Sequence, residues 1–212
     1  DKAQDARMNL GGLYAELGQP SEAAKWYGSV PESAPQYLDA QLKAGNAWWD
    51  VYVQEQTRPE AERKPREQID ELLNQSRQIL TTAIGKFEAN LPKEVAQIDP
   101  AKLRELTLAK LTLATILNGA GDYKGGLGLL VDNPLSSVAG LPSFQKGTKP
   151  YLNVAIAVYI QVLRAYIGSN ELVKAQEAQQ ALDAIVKESG GGREGADAGV
   201  RRLRHPIGRA HV

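Results

Sequence analysis

Apolar side chains recur every three to four positions along most of the chain, the spacing of one buried helical face. The pattern predicts helices over residues 2–17 and 21–30, then 36–55 and 66–90. Further helices follow over about 100–118 and 123–131, then 151–167 and 170–189. Punctuation supports these bounds. Gly18 ends the first helix in a left-handed cap, and Ser21 is expected to cap the second by accepting a backbone N–H. Asp99 caps the helix that opens at Pro100. No strand is predicted.

The elements come in pairs, and the pairs repeat. In the first pair Leu10, Gly11 and Tyr14 form a large-small-large set on one face, followed by Gly18, Ala23, Tyr27 and Pro35. Ala44, Gly45 and Trp48 stand at the same offsets in the next pair, and Leu113, Ala114 and Leu117 repeat the set in the third. Ala83 and Phe87 are four apart, as Ala23 and Tyr27 are, and are matched to them. The fourth pair keeps Ala175 in register but has Gln179 where the aromatic stands.

A recurrence near 34 residues with these residue types resembles the tetratricopeptide repeat family. Arg7 stands where that family carries an early Trp. The resemblance implies an all-α, right-handed α-solenoid of about four helix–turn–helix pairs over residues 1–189. It also implies a concave face lined by the first helix of each pair.

On that face the register places Asn9, Gly12 and Glu16 in pair one, and Lys43, Asn46, Trp49 and Asp50 in pair two. Pair three contributes Thr112, Thr115 and Asn118, and pair four Gln161 and Arg164. These mostly small polar side chains suit a peptide or helix partner, so the expected function is a protein-interaction scaffold. The alternative is a structural or self-associating segment of a larger repeat protein. The family's Lys/Asn clamp for a terminal carboxylate is not matched: Met8 and Gly12 hold its offsets in pair one, and Leu42 stands where Lys belongs beside Asn46.

Three segments interrupt the pairs. Residues 56–68 are charged and hold Pro59 and Pro65, which reads as a solvated insertion, with a partner-contacting arm as the other possibility. Residues 132–150 form a long loop whose Leu135, Val138, Leu141 and Phe144 suggest packing over the repeats. Residues 190–212 leave the helical period and are expected to be a flexible basic tail.

Composition narrows the function. Apolar residues make up 42% and charged residues 24%, enough for a sizeable core. Basic and acidic residues balance at 25 each, which argues against binding nucleic acid by phosphate neutralisation. The five Arg and two acids of residues 190–212 leave the body mildly acidic. With no Cys, thiolate metal sites and disulfides are excluded. No run approaches the roughly 18 apolar residues of a membrane span. The chain begins at Asp1 almost on the first repeat, so a processed segment and further repeats upstream are expected.

Catalytic chemistry is not indicated. The two His residues, His205 and His211, both lie in the tail, so the body has no nucleophile–His pair. The glycines of residues 121–130 invite a phosphate-loop reading, but no Lys-Ser/Thr follows Gly126. No catalytic group, cofactor or metal site is expected.

Overall fold

Helical hairpins follow one another along the chain in the computed structural model, which describes residues 2–92 and 95–188. The first hairpin is α1 (Lys2–Glu16) and α2 (Pro20–Gly28). The second is α3 (Tyr37–Thr57) and α4 (Arg66–Ala89), and the third α5 (Pro100–Gly119) and α6 (Tyr123–Leu130). A one-turn helix α7 (Ser137–Gly140) precedes the last hairpin, α8 (Lys149–Gly168) and α9 (Leu172–Glu188). No strand occurs among the described residues. The tail at 190–212 lies outside them.

The turns of three hairpins share one backbone design. Gly18, Gly121 and Asn170 each adopt a left-handed φ, of 68°, 83° and 62°. The next N–H then reaches back five residues: Gln19 to Tyr14 O, Asp122 to Leu117 O, and Glu171 to Tyr166 O. This pattern ties off the orphan carbonyls of the first helix. The same residue's carbonyl starts the second helix, bonding to Ala23, Gly126 and Ala175. Asn replaces Gly in the last turn because Asn tolerates this region better than most side chains.

The second helix of pair one begins at Pro20, with Gln19 at the cap position and no side-chain cap. Ser21 therefore lies inside the first turn. Proline's fixed φ suits the first helical position and starts the helix early. Asp99 does cap α5, accepting from Ala101 N at 2.8 Å.

Small residues set how closely each hairpin closes. A Cβ on Gly11 would fall 2.5 Å from the Tyr27 ring, and one on Gly45 2.6 Å from Leu80. Leu80 thus stands over Gly45 as Tyr27 stands over Gly11. Four residues earlier, buried Ser76 donates to Gly45 O at 2.8 Å. The match of Ala83 and Phe87 to Ala23 and Tyr27 is corrected accordingly: Ser76 and Leu80 are the counterparts. Ala83 and Phe87 pack with Leu106, Ala109 and Leu113 of α5. The error is seven residues, two helical turns, which leaves the buried face almost unchanged.

Each hairpin packs on the next. α3 meets α2, α4 and α5, while α5 also meets α4, α6 and α8. Pair two overhangs the others: Val51 and Tyr52 of α3 form a separate small core with Ile69 and Leu72 of α4. At its end the carboxylate of buried Glu55 meets Arg58 at 3.2 Å and Lys64 at 3.7 Å. The charged insertion is exposed from residue 57 to 68, yet two of its cations hold this acid.

α8 is 20 residues long and, by length and composition, apolar enough to cross a membrane. Asn153, Gln161 and Arg164 interrupt its apolar residues. In the fold its Val158, Val162 and Ala165 are buried in a cluster with Leu127 and Leu130 of α6 and Ala175 and Ala178 of α9.

Candidate partner-binding face

Three of the first helices adjoin in turn, α3 packing on α5 and α5 on α8, while α1 packs on α2. Their polar residues do not all share one environment. Lys43 of α3 reaches across to Glu105 of α5, with Nζ 2.5 Å from the carboxylate and both side chains partly exposed. Asn46, two positions along from Ala44, is partly buried, and its Oδ1 has no hydrogen-bond partner. Thr112 and Thr115 are partly buried. Thr115 turns its hydroxyl back onto Leu111 O at 2.8 Å, as helical Thr often does. Asn9, Glu16 and Arg164 are exposed.

Asp50 is exposed, but the protein around it displaces enough water to raise its carboxyl to about 6. Burial disfavours the charged form and is the cause here.

Trp49 is half-buried and stacked on Tyr52, with ring centroids 5.2 Å apart. The two aromatics wall an apolar cleft of about 100 Å³ at the base of the pair-two overhang. Leu73, Asn74 and Arg77 of α4, Ile116 and Gly119 of α5, and Ala120 just after it complete the lining.

Two residues placed on the face by register are not on it. Asn118 is 1% exposed and Gln161 5%. They join α5 to α8: Asn118 Nδ2 donates to Gln161 O at 3.1 Å and to its Oε1 at 3.2 Å. Asn118 follows Ala114 by four residues, which puts it on the packing stripe, one side of the Thr112 and Thr115 row. Gly126 makes room for it, since a Cβ there would meet Asn118 Oδ1 at 2.1 Å. The spacing of four from Ala114 was the readable clue.

Sequence reasoning also missed a wider groove between α3 and α4, of about 350 Å³. Tyr37 and Gln41 line one side, Gln75, Gln78, Thr82 and Lys86 the other. Lys86 is held there, bonded to Glu32 at 2.9 Å and lying 6.0 Å from the Tyr37 ring centre. The 75–78–82–86 polar row beside the apolar stripe of α4 was visible in the sequence, but not that α3 would face it.

The long loop packs as its apolar residues suggested, and a buried cation anchors it. Lys110 of α5 has no exposed side-chain surface. It pairs with Glu88 of α4 and donates to Leu135 O at 2.5 Å. Burial lowers its affinity for the proton, and Glu88 opposes that. Among the described residues, no group of three His, Cys, Asp or Glu converges as a metal site would require.

Set against protein-family models, curated proteins and solved structures, the chain matches none.

Proposed function

We propose that this chain is a protein-interaction scaffold, a right-handed solenoid of tetratricopeptide-like pairs that holds a peptide or helix against its first helices. The carrying observation is the adjacency of α3, α5 and α8 with polar, solvent-reachable side chains along them. Lys43, Asn46, Asp50, Thr112, Thr115 and Arg164 offer donors, acceptors and both charges, while Trp49 and its cleft offer one apolar anchor. A partner fitting this set is extended or helical, with an apolar side chain near a cation that meets Asp50. Interfaces of this kind take their energy from the buried anchor and their orientation from the charges.

The test uses Asp50→Lys with Arg164→Glu, two exposed positions whose change leaves the packing intact. Proteins captured by the wild-type chain are purified and titrated against both forms by calorimetry. Binding weaker by about tenfold or more in the double variant, with unchanged helicity, supports the reading. Equal affinity for both forms overturns it.

A further inference from the structure

Pair two rises past the end of α5. Low on the pair, Lys43 of α3 meets Glu105 of α5. Higher up, Trp49 and Tyr52 stand at the last turn of α5, beside Ile116 and Gly119. The two helices thus run the same way, and α3 goes on through residues 53–57 after α5 has ended. α4 runs the other way, and its residues 66–72 precede Leu73 at the cleft. At about 1.5 Å per residue the overhang stands about 7–10 Å tall, nearly two helical turns.

Below that level α5 fills the groove between α3 and α4. Leu106, Leu113 and Ile116 pack there with Leu42, Leu80 and Ile84, and Trp49 and Leu73 join the same cluster. Helical spacing carries both walls of the groove onward. On α3 the positions that face α5 run from Leu42 through Trp49 to Val53. On α4 they run from Ile84 and Leu80 through Arg77 and Leu73 to Asp70. α5 stops and the groove goes on: Trp49, Val53 and Leu73 are partly buried, and Asp70 and Arg77 are exposed. The cleft of about 100 Å³ is the step at which α5 leaves it.

The charges on this ledge are unbalanced. Arg66 and Asp70 pair with each other at 3.8 Å, whereas Arg77 pairs with no acid among the described residues. At the step lies the C-terminal end of α5, the negative end of its helix dipole. That end favours the N-terminus of another helix, and the first turn of such a helix favours Asp and Glu. Arg77 stands at the same step, level with that first turn.

We propose that the ledge docks an amphipathic helix of a partner protein, seated with its N-terminus on the end of α5 and continuing the line of α5 between α3 and α4. One branched apolar side chain fills the cleft beside Trp49 and Tyr52, and an acid of the first turn meets Arg77. The occupant is a helix because the same groove, one level down, already holds one. The inference rests on the scaffold reading for there being a partner, and adds the form and charge of the part held at pair two.

The test uses two labelled helical peptides of about 16 residues, long enough to hold a helix. Both carry leucines at helical spacing; one has Glu in its first turn and the other Lys. Anisotropy with the full chain is expected to show saturable binding of the Glu peptide and binding about tenfold or more weaker for the Lys peptide. Arg77→Glu, at an exposed position, reverses that order. Ala120→Trp, which fills the cleft from its exposed rim, abolishes binding of both. No saturable binding by the wild-type chain overturns the proposal, and so does an order that Arg77→Glu leaves unchanged. Asp50→Lys with Arg164→Glu tests the polar row separately. If that variant loses the Glu peptide while Arg77→Glu keeps it, the peptide lies on the polar row, and the ledge proposal falls while the scaffold reading stands. Sedimentation showing a dimer of the chain that Ala120→Trp dissociates assigns the ledge to a second copy and overturns the proposal as well.

Discussion

Gly45 shows how one missing side chain sets a helix pair. Leu80 is fully buried directly over it, so a Cβ has nowhere to go without moving a packed Leu. Gly45→Ala gains roughly 1 kcal/mol in helix propensity but meets an overpacking cost of about 1–3 kcal/mol. A net loss of stability in urea is expected, and Leu80→Ala added to it is expected to cost less than the sum of the two single changes. Asp50 acts through its proton. Its folded carboxyl titrates at about 6, above the unfolded value of about 3.9. The folded state therefore binds the proton more tightly, and Asp50's contribution declines as pH rises from about 4 to about 6. Its partial exposure lets solvent screen the effect. Asp50→Asn is expected to remove that slope and to be the more stable form at neutral pH, read from unfolding midpoints of both proteins across this range. A partner cation at Asp50 would reverse the penalty, so binding should strengthen over the same window.

At the scale of elements, Lys110 decides how the loop of residues 132–148 lies. Its ammonium serves α4 through Glu88 and the loop through Leu135 O, and Asn133 folds back onto Gly128 O at 2.6 Å. Arg104 adds a bond to Ser143 O at 2.8 Å. Gly140 lets the one-turn α7 sit against Thr107, where a Cβ would clash. Lys110→Ala strands these acceptors and opens a buried cavity, with an expected cost of about 3 kcal/mol in denaturant unfolding. Lys110→Met fills the volume and is expected to cost less. In both variants the amides of this loop should lose exchange protection before those of α5. The loop's apolar residues foretold that it packs. That a lysine in the middle of an apolar stripe would hold it could not be foreseen, because Glu88 and Leu135 come from elements far apart in sequence.

Across the whole molecule, burial is uneven. The cluster joining α3, α4 and α5 holds fully buried Leu42, Leu80 and Leu106, whereas Gly11 is the buried residue of α1. Native-state exchange is therefore expected to be slowest in α3 to α5 and fastest in α1, and a protected α1 in the chain as it stands would contradict this. The order and approximate bounds of the helices, the turns at Gly18 and Gly121, and the small-residue positions at Gly11 and Gly45 were all determined by the sequence itself. Each rests on local physics: helical periodicity, glycine's free φ and proline's fixed one. The tertiary structure alone decided which turn of α4 meets Gly45, because a shift of two turns presents nearly the same face. It alone decided that Asn118 and Gln161 pair in the interior, and that Trp49 joins Tyr52 in walling a cleft. These outcomes depend on which helix stands opposite, and a helix's own sequence specifies its buried stripe without specifying the neighbour that covers it.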